Sequence, residues 1–293
     1  MSDILLSIII PTCNRLDTLP RALNSLLFQN IYDTEVEVII VDDSKESLVE
    51  EINLLNSQIL PSNINVKVIR NDGLHSAARA RNLGVSQADG EFITFLDDDD
   101  IYLPGRLNNM LLVAKEGKYS LVSSGRFFES GDFETINNQP KQKFGEISIE
   151  DIKYLNDIDI GFMIKKSRFE ELGGFNISLK SLEDWDFIIR HLLTGNCYKI
   201  KRLDYAVNIE PGKVRVSNND SQSYIELAEL YKTQFGRSWF FIMMAHGFSL
   251  AGNLKLSNCL LYTIKSLSFK PLYCYLRQMK NFYFKLIRKM CVR

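Results

Sequence analysis

The sequence is poor in the residues on which many catalytic centres are built. Its three histidines, His75, His191 and His246, are too scattered for a histidine-based zinc site. Its five cysteines, Cys13, Cys197, Cys259, Cys274 and Cys291, show neither paired nor zinc-like spacing and read as reduced thiols of a cytosolic protein. No Gly-x-Gly-x-x-Gly follows the first apolar run, which removes a dinucleotide-binding Rossmann reading. No Gly-Lys-Ser/Thr loop is present, which argues against a P-loop ATPase, and His-Glu-x-x-His and Gly-x-Ser-x-Gly are also missing. The longest apolar patch, Trp239 to Ala245, falls far short of the ~20 residues a membrane-spanning helix needs. Met1-Ser-Asp-Ile-Leu-Leu lacks a basic region ahead of its apolar run and does not read as a signal peptide.

What is present is an ordinary globular composition over 293 residues, 45% apolar and 24% charged, enough for one large or two modest domains. The net charge of −1 hides an asymmetry. Ser221 to Arg293 carries 11 lysines and arginines against 2 acids, which leaves −10 on the first 220 residues. A basic tail on an acidic body suggests an anionic partner for the tail.

Phe92-Ile-Thr-Phe-Leu runs straight into Asp97, Asp98, Asp99 and Asp100. Apolar residues without alternation indicate a strand covered on both faces, as in a parallel sheet. Four adjacent carboxylates at its end repel one another, so they are either fully wet or face a cation. Similar apolar runs occur at 5–11, 36–41 and 65–70, separated by helix-patterned segments 17–29, 45–59 and 76–88. This alternation predicts an α/β fold with a mostly parallel sheet. Ligands of such sheets sit beyond the carboxyl ends of the strands. Here those ends are Pro11-Thr-Cys-Asn-Arg15, Asp42-Asp43-Ser44, Asn71-Asp72 and Asp97 to Asp100. Further on, the pattern predicts helices at 104–115, 167–172 and 182–193, strands at 121–128 and 161–165, and a loop at 130–147. From Tyr224 the pattern is helical.

Six stretches in this order resemble a family 2 glycosyltransferase. They are Ser7-Ile-Ile-Ile-Pro-Thr-Cys-Asn-Arg15, Val41-Asp-Asp-Ser44, Ala80-Arg-Asn-Leu-Gly84, Gly90 to Asp100, Gly173-Gly-Phe175 and Leu182-Glu-Asp-Trp-Asp186. The resemblance implies a GT-A fold: a Rossmann-like sheet with helices on both faces, here with a C-terminal helical extension. It divides the chain into a catalytic domain at 1–220 (nucleotide half 1–103, acceptor half 104–220) and a basic extension at 221–293.

The resemblance also implies site residues. Asp97 and Asp99 would hold Mn²⁺ or Mg²⁺ against the donor diphosphate, with Asp99 first for direct contact; the uninterrupted run Asp97 to Asp100 leaves open which oxygens bind, the alternatives being that Asp98 faces the sugar and that Asp100 supports the loop or caps a helix. Asp43 pairs with a uracil N–H, with Asp42 as the alternative. Pro11, Thr12 and Cys13 touch the nucleoside, with Asn14 or Arg15 near. Arg81 and Asn82 either contact the donor or brace a loop. In the acidic pair Glu183-Asp184, Asp184 matches the catalytic base; acids at a helix start also suit the helix dipole. Trp185 is an acceptor platform or core, and Arg215 sits where relatives carry a basic loop. The donor is a UDP-sugar and the acceptor a glycan, lipid-diphosphate-linked as in bacterial O-antigen or capsule assembly. Nucleic acid is not an expected partner. An inactive nucleotide-sugar-binding homologue and a nucleotidyltransferase are the alternatives. The C-terminal helix carries Leu272, Tyr275, Leu276, Met279, Phe282, Tyr283, Leu286, Ile287 and Met290 at helical spacing, with cations outside that stripe. It is expected to lie on an anionic membrane, placing the enzyme on the inner face of the cytoplasmic membrane, or else to pack on the catalytic domain.

Overall fold

The computed structural model describes residues 5–29, 36–61, 64–130, 141–209 and 220–291, with side chains to 283. These residues form two compact units, 1–177 with 184–213 and 178–183 with 214–293.

The first unit is an α/β layer structure. Its early elements are β1 (Leu6–Thr12), α1 (Leu19–Leu26), β2 (Val36–Asp42), α2 (Val49–Ile59), β3 (Asn65–Arg70), α3 (Ala77–Ser86) and β4 (Phe92–Phe95). There follow β5 (Ile101–Tyr102), α4 (Arg106–Lys115), β6 (Leu121–Glu129), β7 (Gly145–Ile147), α5 (Ile149–Ile152), β8 (Met163–Lys165), α6 (Lys166–Glu171), α7 (Glu183–Leu192) and β9 (Cys197–Asn208). The sheet order is β3-β2-β1-β4-β8-β6-β9-β5, with β7 on β9. β3, β2, β1 and β4 run parallel, as does β6 with β9; β8, β5 and β7 join antiparallel.

Every residue of β1 and β4 is buried, as expected for strands covered on both faces. Register among them is fixed by one buried carboxylate. Glu37 of β2 accepts from Ser7 Oγ at 2.6 Å and from the Asp89 N–H at 2.6 Å, while Gly90 donates to Ser7 Oγ at 2.9 Å. Lys67 Nζ neutralises Glu37 at 2.8 Å. A side chain at Gly90 would meet the Ser7 backbone nitrogen at 2.7 Å, so only glycine lets β4 enter beside β1. Gly84 plays the same part in α3, where a Cβ would sit 2.5 Å from Ile9.

The predicted helices and early strands are present with ends shifted by a few residues. Four segments differ, two of them the very short β5 and α5. The expected loop at 130–147 includes strand β7, its residues 131–140 lying outside the described ones. β9, twelve residues long, was not expected at all. Its alternation is masked because it carries charge into the interior: Lys199 is fully buried and pairs with Asp157 at 3.1 Å, and Asp204 is buried against Arg106 at 2.9 Å.

Arg106 is the largest buried charge of this unit. It also binds Asp159 at 3.0 Å and the Gly161 carbonyl at 2.7 Å, and lies over the rings of Tyr102 and Tyr205. It thereby joins α4, β5, β9 and the segment before β8.

The second unit contains α8 (Asp220–Leu250), kinked at Gly236, α9 (Leu256–Ser266) and α10 (Lys270–Cys291). Ala245, Leu254, Cys259 and Cys274 form its core, with Phe248, Tyr262, Leu272 and Tyr275 packed against it. The stripe expected along α10 is therefore split. Leu272 and Tyr275 turn toward this core, whereas Leu276, Met279, Phe282 and Tyr283 are exposed. The side chains of Leu286, Ile287 and Met290 lie outside the described residues.

Removing one partner of a buried ion pair leaves the others charged in low dielectric, a cost of about 3–5 kcal/mol. Arg106→Met is expected to lose that much stability in urea denaturation, with Asp159 and Asp204 stranded. Wild-type stability in the variant would show that the cluster does not hold these elements together.

Candidate active site

The loops after the four parallel strands β1 to β4, arginines from α1 and α3, and the start of α7 build the site. Pro11 and Thr12 close β1 in register with Val41 and Asp42 of β2. The chain then turns at Asn14, whose φ of 55° is left-handed and whose N–H reaches Ser44 Oγ at 2.8 Å. The loops after β1 and β2 are thus tied together. The Asp43 N–H donates to the Thr12 carbonyl at 2.8 Å, and the Asn71 N–H to the Asp42 carbonyl at 2.9 Å.

The two neighbouring aspartates after β2 have different tasks. Asp42 accepts from the N–H groups of Ser44 at 3.0 Å and Leu48 at 2.7 Å and from Arg70 at 2.8 Å. Burial opposes its ionisation, but these donors outweigh it and hold its pKa below the usual carboxylate value. Its carboxylate is spent on the loop, so Asp42 is the structural member of the pair. Asp43 meets the side chains of Asn71 at 2.5 Å and His75 at 3.2 Å. Burial raises its pKa, with those two groups acting against the shift.

The four consecutive carboxylates are met by arginines from three elements. Arg15, in the loop after β1, binds Asp98 at 2.9 Å and Asp99 at 2.8 Å. Arg81 of α3 binds Asp97 at 2.6 Å. Arg21 of α1 donates to the Asp99 carbonyl at 2.6 Å and to the buried Glu129 at 2.8 Å. Asp98 is buried, which pushes its pKa up to about 6 against the pull of Arg15. Asp100 is buried too, and its pKa is raised well above the ordinary value by burial and then by Asp97 and Asp99. It accepts the Asn208 N–H at 2.9 Å, so it anchors the loop to β9. Asp97 and Asp99 stay partly open, with side chains 32% and 23% exposed.

This division tests the fit of a metal. Hard divalent ions take oxygen donors, commonly one or two carboxylates with phosphate supplying the rest. Asp97 and Asp99 are the two partly open carboxylates of the cluster and match that set. Among the described residues, no three His, Cys, Asp or Glu side chains converge into a closed metal cage. The residues therefore fit an ion shared with a phosphate ligand.

Asp184 begins α7. Asn156 Nδ2 donates to its Oδ2 at 2.9 Å, and the Trp185 N–H to its Oδ1 at 2.8 Å. Asn156 is in turn held through its carbonyl by Arg126 of β6 at 3.0 Å, and Arg126 stands opposite Tyr205 of β9. β5, directly after Asp100, pairs with the same stretch of β9, Tyr205 and Ala206. Asp184 thus connects to the aspartate loop through Asn156 and the three strands β6, β9 and β5. α7 is oriented by Arg190, which binds Asp186 at 2.7 Å and the carbonyls of Leu172 and Gly174 at 2.6 and 2.8 Å. Gly173 and Gly174 have φ of 78° and 68°, and a Cβ on Gly174 would lie 2.8 Å from Asn82. That requirement explains the glycine pair.

The remaining expected residues fall as follows. Asn82 exchanges two 2.9 Å hydrogen bonds with the Phe175 backbone and braces the glycine turn. Trp185 is buried, its Nε1 donating to the Ile152 carbonyl at 2.8 Å, and belongs to the core. Cys13 is exposed at the strand end. Glu183 is buried in the segment that groups with the second unit, where it lies close enough to Asp220 to raise that carboxyl's pKa further after burial. Arg215 lies outside the described residues. Sequence reasoning missed Arg21, His75 and Asn156 as site members. His75 lies just past Asn71-Asp72, which the strand-end rule had already singled out; Asn156 has no local signal.

An α/β sheet with acids and arginines gathered at its strand ends, and a further carboxylate at a helix start beyond them, is the layout of a GT-A glycosyltransferase. The comparisons agree: residues 7–173 match the model of Glycosyl transferase family 2, and the chain belongs to that family. An uncharacterized glycosyltransferase of Haemophilus influenzae is 37% identical over 196 residues, covering 64% of this chain and 62% of the relative, so part of the relative's length has no counterpart here. A Campylobacter jejuni GalNAc(5)-diNAcBac-PP-undecaprenol beta-1,3-glucosyltransferase is 27% identical over 282 residues, 90% of this chain and 89% of that one. Among solved structures, S. aureus TarS 1-349 in complex with UDP-GlcNAc superposes with a TM-score of 0.67 at 20% identity, covering 94% of this chain and 89% of that one, and supports the fold.

Asp184→Asn keeps the size of the side chain and removes the carboxylate that the family resemblance implies is the base. Turnover is expected to fall about 10²-fold or more with donor affinity nearly unchanged. Near-normal turnover, or an equal loss of donor affinity measured by calorimetry, would place the base elsewhere.

Proposed function

We propose that this chain is an inverting, metal-dependent glycosyltransferase. In this reading it moves a hexose or N-acetylhexosamine from a UDP-sugar to a sugar hydroxyl of a lipid-linked or growing surface polysaccharide. The observation that carries the reading is the split of the four aspartates into two buried anchors and two partly open carboxylates at the end of β4.

Asp43, with Asn71 beside it, receives the base; its acceptor oxygen suits a ring N–H. Pro11 and Thr12 form the edge along which the nucleoside lies. Asp97 and Asp99 would hold Mg²⁺ or Mn²⁺, which when bound supplies charge stabilisation for the departing diphosphate. Arg15 and Arg81, already at these carboxylates, add positive charge where the diphosphate sits. The acceptor hydroxyl oxygen forms a bond to the anomeric carbon and passes its proton to Asp184. The bond from that carbon to the diphosphate oxygen breaks, and UDP leaves with the electron pair. One displacement inverts the centre, so an α-linked donor gives a β-linkage. The charge that develops on the sugar is oxocarbenium-like.

The sugar-polymer class of acceptor is supported by the Campylobacter relative, which acts on an undecaprenol-diphosphate-linked glycan by its name. No helix among the described residues is long and apolar enough to cross a membrane. An acceptor of that kind stays in the bilayer, so the enzyme would work as a peripheral protein on the cytoplasmic face. The C-terminal helices, exposing apolar residues beside cations, would provide the attachment.

The test is UDP release from a panel of UDP-sugars with a synthetic lipid-diphosphate sugar, with Mn²⁺ and with excess EDTA. Release that needs acceptor, one donor and the metal is expected, and Asp99→Ala should weaken donor binding. Full turnover in EDTA would remove the metal from the account.

A further inference from the structure

The peripheral-membrane reading does not say which surface meets the lipid, and the α10 stripe on which it first rests is partly spent on packing. We propose that the turn joining α9 to α10, centred on Leu267 and Phe269, is a wedge that inserts into the headgroup region of an anionic bilayer. This rests on the peripheral-membrane reading and deepens it.

Leu267 ends α9 with φ 51° and ψ 36°, a left-handed conformation. Its N–H reaches the Ile264 carbonyl at 3.3 Å, and the Ser268 N–H reaches the Thr263 carbonyl at 3.4 Å, the bonding of a helix stop usually made with glycine. A leucine there is strained by its Cβ and gains nothing in return from packing, since it is 94% exposed. Phe269 follows at 80%, with Ile264 at 71% and Tyr273 at 66% on either side. Strain together with full apolar exposure at one turn points to function and not to folding.

The turn is firmly held, so the display is fixed. Ser238 Oγ donates to the Ser266 carbonyl at 2.6 Å, Ser249 Oγ to the Cys274 carbonyl at 2.6 Å, and Cys274 is buried in the unit's core. The exposed apolar surface extends back along α9 through Leu260 and Leu256, one turn apart each time, and forward along α10 through Leu276.

Charge identifies the occupant. After Glu229 the sequence has no acid, and eleven lysines and arginines follow. Lys265, half-buried, and Lys270, exposed, flank the turn itself, and Lys255 and Lys280 are exposed as well. An apolar tip ringed by cations matches acyl chains below anionic headgroups. A second copy of the chain would bring the same cations together and be repelled.

The experiment is co-sedimentation of the full chain with phosphatidylcholine vesicles, with and without phosphatidylglycerol. Wild type is compared with Leu267→Gly/Phe269→Ser and with Lys265→Gln/Lys270→Gln. Leu267→Gly relieves the strained position, so the variant should fold, which circular dichroism and thermal melting check. Wild type should pellet with phosphatidylglycerol vesicles and be released by salt. The apolar variant should lose about a hundredfold in partitioning, from two large side chains no longer buried, with UDP release to a soluble acceptor unchanged. The lysine variant should lose only the phosphatidylglycerol-dependent part. Wild-type partitioning by the apolar variant would overturn the wedge and leave the membrane reading standing. No pelleting of any form would overturn both. Concentration-dependent dimers, abolished by Leu267→Gly/Phe269→Ser in the absence of lipid, would make the turn a self-association surface and also overturn the wedge.

Discussion

Four adjacent carboxylates at one strand end are the constraint around which the first unit is arranged. At close range like charges raise one another's pKa and resist burial. The chain answers by spending two of them, Asp98 and Asp100, in buried positions and by bringing Arg15, Arg21 and Arg81 from three separate elements to the loop. Those arginines arrive only if β1, α1, α3 and β4 are in register. The Ser7–Glu37–Gly90 contact and the glycine approach of α3 to Ile9 supply that register from within the sheet. The concentration of acid that would destabilise an isolated loop becomes a focused site because the sheet imports its counter-charge.

The surroundings of Asp184 are built from different materials. Asp184 takes its geometry from a helix start held by Arg190 on the Gly173-Gly174 turn and from Asn156. Beneath it, Phe95, Phe162, Phe169, Phe175 and Phe187 pack ring to ring at 4.8 to 6.4 Å. Phe95 ends the strand that leads to the aspartates, Phe175 follows the glycine turn and Phe187 lies on the helix of Asp184. One aromatic cluster therefore supports both halves, and edge-to-face pairs of this kind are worth about 0.5–1.5 kcal/mol each beyond burial. Such support limits how far the aspartate loop and Asp184 can move relative to one another.

Much of this was legible in the sequence, for a physical reason. β1, β2 and β4 are short apolar runs whose ends carry polar residues, so strand and site are read from the same few positions. The glycine pair and the helix start at Glu183 are likewise local signals. What escaped was non-local. β9 hides because Lys199 and Asp204 are buried and paired, which breaks the apolar alternation that marks a strand. β5 is only two residues and exists because β9 is there to bond it. The separation of Asp42 from Asp43, one holding its loop and the other facing Asn71, depends on Arg70 and on N–H groups that no spacing rule identifies. The α10 stripe was read correctly as amphipathic, yet periodicity alone does not say what faces it, and Leu272 and Tyr275 face the second unit's own core.

The account stands or falls on a single displacement at the anomeric carbon, with the donor held at the aspartate loop and the hydroxyl activated by Asp184. Proton NMR of the product made from an α-linked UDP-sugar measures this directly through the anomeric coupling constant. The account predicts a β-linked product as the only new glycoside. An α-linked product would require retention and a different arrangement of groups, and would contradict it.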